Sequence, residues 1–170
     1  PFGLARIGPG TEAVFTPNKP AEDYVDRTGV ALVLRPWHFR ANAVDVERLL
    51  DYVTRVAPRY SQIETPTVII TGNRDAIVLP RIHSLGLERD LPNAELLWIS
   101  NMGHKPDYIA TDLAIAAIEK IAGFDRDLQL MGRALEREIA NDCFGPVERC
   151  LDKDDWRPGD QIPESPSEPI

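Results

Sequence analysis

The sequence predicts an α/β fold: the C-terminal half of a doubly wound parallel sheet, preceded by a mostly helical region. Three observations carry that expectation. The run Pro66-Thr-Val-Ile-Ile-Thr-Gly72 is short, β-branched and bounded by Pro and Gly, the pattern of a strand buried on both faces. A second apolar run, Ala94-Glu-Leu-Leu-Trp-Ile99, follows a segment of helical character. A further helical segment comes after it, and strand–helix–strand–helix order implies right-handed parallel crossovers.

In chain order, Pro17, Pro20, Gly29 and Pro36 break the first part of the sequence into short pieces, with a small helix expected around 21–28 and an apolar stretch at 30–34. Across 41–56, Ala43, Val46, Leu49, Leu50, Val53 and Val56 share one helical stripe that Pro58 ends, which predicts a helix with one buried face. The strand at 66–72 leads into a helix from about Leu79 to Leu91, with Pro80 suited to its first turn. Pro92 and Asn93 then turn the chain into the second strand. Beyond a loop from Ser100 to Asp107, Ile109, Leu113, Ala117 and Ile121 recur every fourth residue, with Gly123 as the stop. Leu128, Met131, Leu135 and Ile139 predict an amphipathic helix over 125–141. The last residues hold Pro158, Pro163, Pro166 and Pro169 among Glu, Asp and Ser, a composition that cannot bury enough apolar area to offset ordering entropy. The chain thus divides into a helical region at 1–60, an α/β core segment at 61–123, an amphipathic helix and extension at 124–151, and a disordered acidic, Pro-rich tail at 152–170.

Composition narrows the function classes. With 170 residues and 43% hydrophobic content, the chain can bury one core. A net charge of -8 and the lack of a Lys/Arg cluster argue against nucleic acid and leave a small molecule as the partner. Residues 124–170 contain 12 Asp+Glu against 6 Lys+Arg, so most of the negative charge sits there. Cys143 and Cys150 lie close together with no second pair, and read as free thiols in a reducing, cytoplasmic setting. No apolar run approaches the roughly 18 residues of a membrane span, and the N-terminus lacks a signal-peptide layout. The opening Pro1-Phe2-Gly3 suits a piece of a longer chain.

Parallel strands end at one edge, so the loops after Gly72 and Ile99 should emerge side by side, where such folds bind ligands. The first loop offers Asp75 and the second His104. Strands about 4.8 Å apart allow a carboxylate and an imidazole there to meet. The aspartate would fix the tautomer, leaving the other ring nitrogen as a general base. Alone, an Asp after a strand is a turn former and a His after Gly a loop residue; their joint placement favours the pair.

The flanks of this pair resemble the α/β-hydrolase family, in the branch of small esterases, epoxide hydrolases and C–C bond hydrolases. The resemblance rests on Thr71-Gly72-Asn73-Arg74-Asp75 with Val78 and Pro80, on Asn101-Met102-Gly103-His104-Lys105-Pro106, and on the acid-to-base spacing. It covers 63–122, and more loosely 1–60, where Arg35-Pro-Trp-His-Phe-Arg-Ala-Asn42 looks like part of a helical cap. It implies a doubly wound α/β-hydrolase sheet, a nucleophile–His–Asp triad with Asp75 as acid and His104 as base, and no metal or organic cofactor. The family often carries Asp where Asn73 stands, a change read as minor.

The nucleophile is missing from the pattern. Neither Gly-x-Ser-x-Gly nor Gly-x-Asp-x-Gly occurs, and Ser61, Ser84, Ser100, Ser165, Ser167 and both cysteines lack the flanking glycines. His38, Trp37, Phe39 and Tyr60 read as cap packing residues and His83 as a helix residue, while Asp152, Asp154 and Asp155 lack the glycine and terminal Glu of a calcium loop. Two functions remain in view. One is a hydrolase acting on a small ester-like substrate. The other is an inactive truncated fragment or a non-catalytic subunit that pairs with an N-terminal half, or with itself, through an exposed sheet edge.

Overall fold

A computed structural model describes residues 2–145 and 156–160, and they form a mixed α/β structure. The N-terminal part is helical: α1 (Phe2–Ala5), α2 (Ile7–Phe15), α3 (Tyr24–Thr28), a 3-10 helix at Val30–Leu34, the long α4 (Pro36–Val56) and a second 3-10 helix at Ala57–Gln62. Two strands follow with helices between and after them: β1 (Thr67–Gly72), α5 (His83–Asp90), β2 (Ala94–Ile99), α6 (Pro106–Ile109), α7 (Thr111–Ile121) and α8 (Leu128–Glu138).

β1 and β2 pair in parallel, from Thr67 opposite Ala94 to Gly72 opposite Ile99. Equal strand lengths in register bring both C-terminal ends to one edge, as the two apolar runs imply. One face presents Val68, Ile70, Leu97 and Ile99 to α7 and α8, whose Leu113 and Leu128 are buried against it. The opposite face meets α5, where the Ser84 hydroxyl donates to Thr71 Oγ1 at 2.9 Å. Gly123, at φ +97, ends α7 as predicted, and Asp127 caps α8 by accepting from Leu130 N.

Several expectations change. β1 was expected to be buried on both faces, but Thr67–Ile70 are only half-buried because, among the described residues, β2 is its one strand partner. Pro80 lies ahead of α5, in the turn that its carbonyl closes by accepting from Ser84 N and Leu85 N. The buried stripe of α7 is Leu113, Ala116 and Ala117, whereas Ile121 is exposed.

The largest departure is α4. It spans the predicted stripe and stops before Pro58, yet none of its residues is buried: Leu50 is 73% exposed, and Val46 and Leu49 face solvent with it. Trp37 and Phe39, read as packing residues, are likewise exposed, at 79% for Trp37. His38 is exposed, with its Nδ1 at 3.0 Å from Leu32 O. Periodicity identified the apolar face correctly; what covers it is not among the described residues.

The tail also departs from expectation in part. Residues 156–160 are ordered against the core, whereas 146–155 and 161–170, including Asp152, Asp154 and Asp155, lie outside the described residues. Trp156 packs edge-on to Trp98 at 5.2 Å, and the Arg81 guanidinium sits 4.6 Å from the Trp156 ring centroid. Aromatic stacking and a charged anchor outweigh the local Pro-rich composition at this one point. Cys143 is disulfide-bonded rather than a free thiol. The chain's other cysteine, Cys150, lies outside the described residues.

Candidate active site

Asp75 reaches its position through a tight turn out of β1. Its backbone N donates to Gly72 O at 3.2 Å, and its Oδ1 accepts from Ile77 N and Val78 N at 2.9 and 2.8 Å. Turn chemistry of this kind is what the null expectation for a lone Asp predicts. It leaves Oδ2 free for another partner, and that partner is His104 Nδ1, at 2.9 Å. Both carboxylate oxygens are therefore committed, and only 10% of the Asp75 side chain is exposed, against 31% for His104.

With Nδ1–H donated to Asp75, the neutral imidazole carries its lone pair on Nε2. That nitrogen has no hydrogen-bond partner among the described residues, so the acceptor needed for proton abstraction is available. No described serine or cysteine bonds it. Ser84 is committed to Thr71, Ser100 Oγ accepts from Arg157 Nη2 at 2.8 Å, and Cys143 is oxidised. His83, set aside on sequence, lines a separate cleft of about 450 Å³ with Tyr60 and Arg89. No group of three or more potential metal ligands occurs among the described residues.

The loop bearing His104 is fixed by residues that sequence reading missed. Asn18, 0% exposed, accepts from Gly103 N at 2.9 Å through Oδ1, and donates through Nδ2 to Asn101 O at 3.0 Å and Asp142 Oδ2 at 2.9 Å. Asn101, in the left-handed region at φ 61, donates from its side chain to Ile139 O and from its backbone N to Asn73 Oδ1 at 2.7 Å. Asn73 thus joins the acid loop to the base loop, so its identity matters more than its reading as a minor change allowed. Arg74 N also donates to Met102 O at 3.0 Å.

Close backbone packing completes the frame. A Cβ on Gly72 would overlap the Met102 carbonyl, and one on Gly103 would overlap the Thr16 carbonyl. On the far side, Ser100 N donates to Glu136 Oε1 at 2.8 Å, and Arg157 Nη2 bonds the same carboxylate at 3.0 Å. Lys105, next to His104, donates to Asp107 Oδ2 at 2.9 Å and lies 5.2 Å from the Tyr108 ring centroid. Burial works against its charged form, but the hydrogen bond and charge of Asp107, aided by Tyr24, outweigh burial and raise its pKa.

No protein-family model, curated protein or solved structure matches the chain. The resemblance therefore stands on the quoted residues, and the geometry of the pair stands on its own.

Proposed function

We propose that the chain carries the acid and base of a hydrolase with the α/β-hydrolase fold, acting on an ester, epoxide or similar small substrate. The observation that carries this reading is the 2.9 Å contact between Asp75 Oδ2 and His104 Nδ1 in loops leaving the same edge of two parallel strands. Asp75 orients the imidazole, and His104 Nε2 takes a proton from a nucleophile or a water and later returns it to the leaving group. The nucleophile would come from sequence beyond these 170 residues.

The test in the chain itself is NMR of the His104 ring. Asp75→Asn keeps an oxygen to accept from Ile77 N and Val78 N, which Asp75→Ala would abandon, so it removes the carboxylate with less damage to the turn. The wild-type chain should show a downfield Nδ1 proton that Asp75→Asn moves upfield; an unmoved resonance would refute the pairing. In a longer protein bearing the nucleophile, the same variant should lower turnover on the order of 10⁴-fold.

A second reading, a non-catalytic piece that pairs with an N-terminal half or with itself, is favoured by the uncovered apolar side of α4 and the half-buried β1. It predicts concentration-dependent association in sedimentation, and a monomer across the full range would count against it. No helix among the described residues is long and apolar enough to cross a membrane. A cytoplasmic site of action rested on free thiols, and the disulfide at Cys143 removes that support, since such bonds persist in oxidising compartments.

A further inference from the structure

An open cavity of about 290 Å³ lies among α1, α2, α3 and the 3-10 helix at Val30–Leu34, and its lining includes neither Asp75 nor His104. Phe15 and Tyr24 line it and separate it from the His104 loop: the Phe15 and Thr16 carbonyls abut Gly103, and the Tyr24 ring packs edge-on to Tyr108 at 4.8 Å. Its size is at the lower end for a small-molecule site, and its wall is mostly apolar, with Val14 and Val33 beside those two rings.

Two polar groups face this apolar space without partners. The first is Thr11, 9% exposed. Thr16, Thr28 and Thr111 each return their hydroxyl proton to the carbonyl four residues back, at 2.8, 2.6 and 2.9 Å. Thr11 lies within α2 and makes no such bond, so a nearly buried hydroxyl is left to whatever enters the cavity. The second is the Arg6 guanidinium, which has no ion pair or hydrogen bond among the described residues. No acidic residue lines the cavity, and α2 has none in its first turn. In a chain of net charge -8, a cation left unpaired beside an uncapped helix start is a local exception that suits an anion.

We propose that this cavity binds a small apolar monocarboxylate, its hydrocarbon part against Val14, Phe15, Tyr24 and Val33 and its carboxylate at Arg6 and the Thr11 hydroxyl. A phosphate would ask for more donors than these two groups supply, and Arg6 disfavours a cationic ligand. The inference does not depend on the reading of Asp75 and His104.

The experiment titrates the full chain with octanoate, and with octan-1-ol as the neutral probe of matched length, followed by backbone and Arg side-chain NMR. Octanoate should bind saturably, shifting Arg6, Thr11 and Tyr24. Arg6→Gln should weaken octanoate about tenfold and leave octan-1-ol unchanged, because only the carboxylate uses the charge. Val14→Trp should abolish binding of both by filling the space. Thr11→Val, which keeps the side-chain shape, should weaken octanoate without loss of fold and carries the test if Val14→Trp unfolds. Equal affinity for the two probes, shifts confined to other surfaces, or an Arg6→Gln chain that binds octanoate as well as the wild type would overturn the proposal.

Discussion

Replacing Asn18 by Ala should be among the most damaging single changes in the chain, although Asn18 lies far in sequence from everything it holds. The substitution removes the acceptor for Gly103 N, leaving a buried N–H unpaired at a cost of about 1–3 kcal/mol. It also removes a neutral hydrogen bond to Asn101 O, about 0.5–1.5 kcal/mol net, and one to the Asp142 carboxylate, about 1.5–3 kcal/mol. Asp142 is only half-buried and water can serve it, so the low end of that sum applies, about 3 kcal/mol. With a urea slope near 2 kcal/mol/M, the midpoint should fall by about 1.5 M. Fluorescence of the Trp98–Trp156 pair reports the transition. Asn18→Asp sharpens the reasoning, because it restores the acceptor for Gly103 N but sets a second carboxylate against Asp142. The introduced group has its folded-state pKa raised by the like charge, so its contribution is present below the ordinary Asp value and lost as pH rises through the raised value. Its deficit relative to wild type should therefore be larger at pH 7 than near pH 4. A loss below about 1 kcal/mol for Asn18→Ala, or no pH dependence for Asn18→Asp, would refute the account.

Gly103→Ala should cost at least about 1–3 kcal/mol in the same urea assay, because its Cβ overlaps the Phe15 and Thr16 carbonyls, whereas Gly86→Ala, in α5 with open space around it, should be neutral or stabilising by about 0.5–1 kcal/mol. Arg157→Ala should lose no more than about 1 kcal/mol, since its side chain is half exposed, while shifting the Ser100 and Asn101 amide resonances. Lys105→Gln should cost at most about 1 kcal/mol at neutral pH, discounted because Asp107 is largely exposed. Because the Lys105 pKa is raised, that difference is fully present below the ordinary Lys value and should close as pH rises through the raised one, which urea midpoints across an alkaline series would follow.

What the sequence made legible was local. Strand β2 was read to its exact bounds and β1 to within a residue, because β-branched runs between Pro and Gly have few alternatives. The Asp75–His104 contact followed from one topological step, parallel strands ending together. The support for that contact was not legible, because it is long-range: Asn18 reaches residues 83, 85 and 124 positions away, and Arg157 reaches Ser100 over 57. Pro17-Asn18-Lys19-Pro20 reads locally as a turn, and no periodicity marks an amide that will be buried against a distant loop. Arg157 sits in a stretch whose composition argues for disorder, and only the Trp98 and Glu136 partners make its order worth the entropy. One physical consequence follows. The strands and helices of 67–121 hold the pair at the right edge, but the orientation of His104 depends on anchors at both ends of the chain, Asn18 on one side and Asp142, Glu136 and Arg157 on the other. Removing either end should leave the parallel sheet's hydrogen exchange protected while the amides of Asn101 and Gly103 exchange faster, because local opening of that loop no longer has to break those bonds.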